Sequence, residues 1–170
     1  LFRSYVLARV DTRLLHGQVA TGWTHSTHPD RIIVVSDTVC HDKLRTNMIK
    51  QAAPSGVQVH VIPIKNMVKA NNDPRFGDTR AMLLFESVED ALAAVKAGVD
   101  VKEINLGSSA YKEGKVNVTK ALSFDQTDVD AIKELQSLGV KFDVRGVPSD
   151  SPANVDALIK SAETKLAEKK

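Results

Sequence analysis

Two five-residue stretches, RIIVV at residues 31–35 and AMLLF at 81–85, are apolar at almost every position rather than at alternate ones. A strand with one face in water alternates, whereas one covered on both faces does not. Cover on both faces is the situation of a parallel sheet with helices above and below it. Working outward, further β-branched runs predict strands at Tyr5 to Val10, Ile32 to Val35, Val57 to Ile62, Met82 to Phe85, Ile104 to Leu106 and Val140 to Val144. Helical spacing recurs between them, in Val88, Ala91, Leu92 and Val95 and again in Val155, Leu158, Ile159, Ala162 and Leu166. Helix starts are expected at Ser87, three before Asp90, at Ser123, three before Gln126, and at Ser151, before Pro152. Gly98 and Gly139 mark stops. The polar stretch 71–79, NNDPRFGDT, reads as a loop, and the terminal KLAEKK as a fraying helix end. The expected fold is α/β: an open, mainly parallel twisted sheet with helices on both faces, in a single domain covering residues 1–170.

Composition narrows the function classes. The 170 residues are 42% apolar, enough for a core without staples. The formal charge is +2 and the basic residues are dispersed, which argues against nucleic acid as a partner. One Trp, two Tyr and five Phe make up 5%, too few for base-stacking platforms or an aromatic sugar cleft. The lone Cys40 can close no internal disulfide and points to a reducing compartment, so a cytoplasmic location is expected. No window reaches 18 consecutive apolar residues, and the opening LFRSYVLARV lacks the apolar stretch and cleavage site of a secretory leader.

Residues 9–23, RVDTRLLHGQVATGW, carry the chemistry. They begin where the first strand runs out, and ligands of open α/β sheets sit beyond the carboxyl ends of strands. Arg9, Asp11, Arg13 and His16 fall within eight residues. Gly17 permits close backbone approach, while Val19 and Trp23 give a following helix its buried face. His16 is therefore expected at a helix start, among unpaired N–H groups. Neutral imidazole is a nucleophile near pH 7 and can take a phosphoryl group on one ring nitrogen. Helix-start donors and the Arg13 guanidinium would receive the negative charge, with Arg9 nearby, and Asp11 would hold Arg13 or orient the ring. The same residues also read as a surface ion pair beside an unremarkable loop histidine, and spacing alone does not separate the two.

The stretch resembles the signature of the IIB component of the mannose/fructose/sorbose family of the bacterial phosphoenolpyruvate-dependent sugar phosphotransferase system. The similarity continues through RIIVVSD at 31–37, QAAPSGVQVHVIPI at 51–64, RAMLLFESVEDA at 80–91 and INLG at 104–107. The resemblance implies that His16 is phosphorylated by a IIA partner and passes the group to a sugar presented by membrane IIC and IID components. Arg13 then neutralises phosphate and Asp11 orients. Ser36 and Asp37 flank the cleft, Gly17 and Gly107 line it, and Ser108, where the family commonly has a second glycine, offers a hydroxyl. The implied domain is cytoplasmic, reaching the inner face of the membrane through its partners. It needs no cofactor, and homo-oligomer formation is left open.

Other motifs compete weakly. His25, His28, Cys40 and His41 invite zinc, but their spacing is poor. GSSAYKEGK, from Gly107 to Lys115, has six residues between its glycines and no Ser or Thr after the lysine, so it is not a nucleotide loop. The alternative from another class is a receiver-like regulatory domain phosphorylated on Asp37, which would require magnesium and clustered acids. Only Asp42 stands near it in sequence.

Overall fold

The structure is a computed structural model that describes residues 5–170. Residues 1–4, part of the expected domain and of the stretch read as lacking a leader, lie outside the described residues. Strands β1 (Leu7–Asp11), β2 (Arg31–Val35), β3 (Gln58–Ile62), β4 (Ala81–Phe85) and β5 (Glu103–Ser108) join β8 (Lys141–Val144) in one six-stranded sheet. A short antiparallel ribbon, β6 (Val116–Asn117) with β7 (Ser123–Phe124), stands apart. The order β3-β2-β4-β1-β5-β8 is parallel throughout. The expected open parallel α/β architecture is the observed one.

Both apolar runs lie inside, all five residues of AMLLF being buried. Alternate side chains of each strand feed two cores. One joins Ile32, Val34, Met82 and Leu84 to Val19 and Trp23 of the helical segment 17–27 and to Ile49 of α2 (Lys43–Gln51). The other joins Ile33, Val35, Leu83 and Phe85 to α3 (Ile64–Asn72), α4 (Val88–Lys96), α5 (Gln126–Ser137) and α6 (Val155–Glu168). The chain leaving β1 therefore turns to one face, while the chains leaving its neighbours β4 and β5 turn to the other. That divergence opens a crevice at the carboxyl end of β1, where this class of sheet binds ligands.

Local signals were met unevenly. Ser87 caps α4 by accepting from Asp90 N at 3.1 Å, and Gly98 and Gly139 take positive φ at the ends of α4 and α5. Ser123 does not start a helix: it belongs to β7 and bonds Asn117, while Asp125, two residues on, caps α5 in a reciprocal capping box with Asp128. Nor does Ser151, because Ala153 still bridges to Val144, so α6 begins only after Asn154. The stretch 71–79 opens with the last two residues of α3 and holds a 3-10 turn, Pro74–Phe76. The lysine-rich end is anchored rather than frayed, since Lys165 and Lys169 donate to the carbonyls of Asn117 and Lys115 beside the ribbon. Helix α2 escapes sequence reading because Ile49 is its only buried residue.

Candidate active site

Asp11 ends β1 and organises the turn that follows. Its carboxylate accepts from the backbone N–H of Arg13 at 2.9 Å, and its carbonyl accepts from Leu14 N–H at 2.9 Å. This Asx-type turn reverses the chain within three residues. Leu14 completes it in the left-handed region, with φ 57°, a conformation costing a side chain about 1–2 kcal/mol. Burial holds it there: Leu14 is fully covered and packs with Leu15, Val19 and Trp23. The apolar pair Leu14–Leu15 thus clamps the loop and projects His16.

Helical backbone begins at residue 17, and the first helical bond runs from Ala20 N–H to the His16 carbonyl at 2.8 Å. The N–H groups of Gly17, Gln18 and Val19 consequently lack intrahelical acceptors. Gly17 is exposed, and a Cβ placed there would meet nothing within 4 Å. Its value is open space before the helix start rather than tight packing. The segment differs from a plain α-helix: Val19–Trp23 is wound as a π-helix before α1 (Thr24–Thr27), an irregularity concentrated at functional sites. Trp23 closes the π turn, donates its indole N–H to the Gly146 carbonyl at 3.0 Å, and has the guanidinium groups of Arg9 and Arg145 over its ring, 5.4 and 5.2 Å from the centroid.

Below the loop is a fully buried ion pair. Arg9 donates to Asp11 at 2.8 Å, to Asn105 Oδ1 at 2.6 Å and to the Arg145 carbonyl at 3.2 Å. Burial pulls its pKa below the usual guanidinium value, and Asp11 opposes that shift. Arg9 was expected to meet phosphate, but with no exposed surface it instead holds Asp11 in place. Gly107 makes room for it. The β1–β5 register passes from Val10 opposite Leu106 to Asp11 opposite Ser108, so Gly107 is bulged out of the pairing. A Cβ on Gly107 would overlap Arg9 Cζ and both terminal nitrogens.

The His16 side chain is 20% exposed, with the two ring nitrogens in different settings. Nδ1 lies 3.0 Å from the Leu14 carbonyl, which can only accept, so Nδ1 carries a proton in that bond. Nε2 is buried without a hydrogen-bond partner, 4.0 Å from Asp11 Oδ2. Arg13 is 53% exposed and its Nε reaches Asp11 at 3.4 Å, leaving the terminal nitrogens facing outward.

Three residues absent from the sequence reading support the loop. Arg45 of α2 donates to the Thr12 carbonyl at 3.2 Å and pairs with Glu86 after β4, and Ala110 N–H donates to the Thr12 hydroxyl at 3.0 Å. No spacing rule reaches Arg45, which lies 33 residues from Thr12. Two other expected members, Ser36 and Asp37, make their hydrogen bonds outside this loop. Ser36 is buried and spends its hydroxyl on the N–H groups of Thr38 and Val39. Asp37 is exposed and accepts from Ile64 N–H at the start of α3, while Asp42 caps α2. These acids do structural work on separate helices, which disfavours the receiver-like alternative. Ser108 pairs opposite Asp11, and its carbonyl accepts from Thr12 N–H.

Among the described residues, His25, His28, Cys40 and His41 form no convergent ligand group; the group that converges is Glu89, Asp125 and Asp128, within 4.8 Å. Lys115 already bonds Asp128 at 2.9 Å. Burial, with help from the Glu89 carboxyl, pushes Asp128 up to about 7. A carboxyl with a raised folded pKa binds its proton more tightly when folded, so its contribution to stability falls as pH rises from about 4 to about 7. Denaturant midpoints are expected to be higher at pH 5 than at pH 7.5 on this account, and Asp128→Asn should flatten that slope. An unchanged slope in the variant would discard the assignment.

Comparison with known proteins places this geometry in context. The family model described as "PTS system sorbose subfamily IIB component" matches residues 5–170. The sorbose-specific EIIB component of Lacticaseibacillus casei is 39% identical over 153 residues, covering 90% of this chain and 93% of the relative. The mannose-specific EIIAB component of Escherichia coli K12 is 42% identical over 153 residues, but the chain spans only 47% of it, about half its length. The crystal structure of the IIBSor domain of the sorbose permease from Klebsiella pneumoniae superposes with a TM-score of 0.90 at 38% identity, covering 94% of this chain and 98% of that one.

Proposed function

Because the chain belongs to the sorbose subfamily of phosphotransferase-system IIB components, we propose that it is a phosphocarrier in which His16 accepts a phosphoryl group from a IIA protein and hands it to a sugar. Residues 1–170 act as one carrier unit in this reading. The sugar is presented by membrane IIC and IID components, and the carrier works in the cytoplasm, reaching the membrane through them. Among the described residues, no helix is long and apolar enough to cross a membrane, consistent with a partner performing that step.

The observation that carries the proposal is the setting of His16: a partly exposed imidazole directly before an open helix start, beside an outward-facing arginine and a buried carboxylate. Nε2 is covered and faces Asp11, which favours Nδ1 as the attacking nitrogen. To act, Nδ1 leaves the Leu14 carbonyl and the ring proton resides on Nε2, facing Asp11. The present 4.0 Å is roughly 1 Å beyond a hydrogen bond, a gap that a small ring rotation closes. The Nδ1 lone pair then attacks phosphorus, the bond from phosphorus to the donor nitrogen breaks, and the donor imidazole keeps the electron pair. Arg13 and the N–H groups of Gly17 and Gln18 meet the phosphoryl charge. The buried Arg9 fixes Asp11 without touching phosphate, so cations in contact are few and the group remains transferable.

Incubation with phosphoenolpyruvate, the general phosphotransferase components and a IIA protein should add one phosphate at His16, read by intact mass and site mapping. The adduct should be acid-labile and base-stable, the phosphorus NMR shift that of an Nδ1 phosphoramidate, and EDTA without effect. A phosphate elsewhere, or one sensitive to hydroxylamine, would reject the reading. Arg13→Lys should slow acceptance about tenfold, because one ammonium replaces a planar fork, a loss of roughly 1.4 kcal/mol. Wild-type single-turnover kinetics in that variant would remove Arg13 from the mechanism.

A further inference from the structure

Large apolar side chains exposed on the described surface are few: Leu44 at 73%, Met48 at 62%, Tyr111 at 59% and Leu138 at 51%. Their placement is uneven. Leu44 and Met48 stand one turn apart on α2, the helix whose Arg45 holds the Thr12 carbonyl. Tyr111 follows Ala110, whose N–H holds the Thr12 hydroxyl. Three of the four therefore sit on segments tied directly to the loop that carries His16, at the carboxyl edge of the sheet. Leu138 caps the far end of α5, before β8, and so lies at the opposite edge.

We propose that Leu44, Met48 and Tyr111 form the docking surface for the phosphohistidine-bearing IIA donor. This rests on the reading of His16 as the acceptor. Direct transfer between two histidines brings the donor surface onto the loop, and a specific interface covers roughly 800 Å² of each partner. Groups hydrogen-bonded to Thr12, four residues from His16, fall within such a footprint. Two apolar flanks on opposite sides of the loop supply what a polar crevice lacks: area whose burial is favourable whichever partner holds the phosphate. Charge selects the phosphorylated donor. The charged groups interspersed with the patch are Arg13, Arg45 and the exposed Lys43 and Lys112, against Glu86, which is paired with Arg45, and the exposed Asp42 and Glu113, a small positive excess to which the outlying Arg13 beside His16 contributes. An unloaded carrier thus attracts a partner bearing phosphate. After transfer the phosphate sits on this chain, cancels the local positive charge, and weakens the hold on the spent donor.

The test uses the whole chain with Leu44, Met48 and Tyr111 all changed to alanine, positions exposed enough to leave the core untouched. Two donors are compared: phosphorylated IIA protein, and phosphoramidate, which is too small to need a docking surface. The triple variant should lose at least tenfold in kcat/KM with IIA while keeping the wild-type rate with phosphoramidate, and Leu138→Ala should match wild type with both. Transfer from IIA should also slow as salt rises from 50 to 500 mM. Undiminished transfer from IIA in the triple variant would overturn the proposal, as would an equal loss with phosphoramidate, which would mean a damaged site. Sugar phosphorylation lost while IIA transfer stays intact would assign the patch to a membrane component instead. A wild-type dimer that the variant dissociates would assign it to a second copy. Failure of wild-type protein to accept phosphate at His16 from either donor would reject the acceptor reading itself, a result distinct from all of these.

Discussion

Replacement of His16 by alanine is expected to abolish phosphoryl acceptance while leaving the fold standing. The two effects separate because the side chain makes a single hydrogen bond, to the Leu14 carbonyl, and is partly exposed. Loss of that bond changes stability by about 1 kcal/mol or less. The chemical loss is total, since no other imidazole lies at this helix start and the neighbouring Asp11 is buried behind the loop. Thermal melts paired with labelling from a phosphorylated IIA protein check both halves. A His16→Ala protein that still accepts one phosphate would end the acceptor assignment; one that no longer melts cooperatively would show that the histidine is structural.

Gly107→Ala should have the largest effect on stability of any single methyl addition near the site. The new Cβ would occupy the space of the Arg9 guanidinium. Arg9 cannot swing aside, because it is held by Asp11, Asn105 and the Arg145 carbonyl beneath Trp23. Displacing it leaves two buried charges unpaired, which costs roughly 3–5 kcal/mol out of a total stability of about 5–15 kcal/mol. The denaturant midpoint should fall accordingly, and acceptance at His16 should fall with it as Asp11 loses its anchor. A midpoint within experimental scatter of wild type would mean that the buried pair repacks freely and does not organise the loop. The comparison with Gly17→Ala is informative, since that Cβ meets no atom and its stability effect should be small.

How much of this was legible in the chain differs from residue to residue. RIIVV and AMLLF identified central parallel strands because burial on both faces leaves a continuous apolar signal. His16, Arg13 and Asp11 could be grouped because one loop carries all three, and nearness in sequence is then nearness in space. Arg9 was drawn to the phosphate on that same nearness, and wrongly: alternation along a strand, with Gly107 bulged beneath it, sends the side chain into the core. Arg45 went unseen because its contact with Thr12 exists only once α2 is folded within reach of the loop that follows β1. The mistaken helix starts at Ser123 and Ser151 share a cause, since a capping pattern is satisfied only if the backbone is free to turn, and strand pairing still holds both segments.

By itself, then, the sequence determined the class of sheet, the end of it that carries the chemistry, and the histidine with its arginine, because periodicity and local clustering are properties of contiguous residues. The tertiary structure alone decided which nitrogen of His16 is covered, which arginine supports and which one faces outward, and where the exposed apolar residues gather. Those depend on burial and on contacts across 33 to 136 residues of chain, and no local pattern encodes the direction in which a side chain finds itself shielded from water.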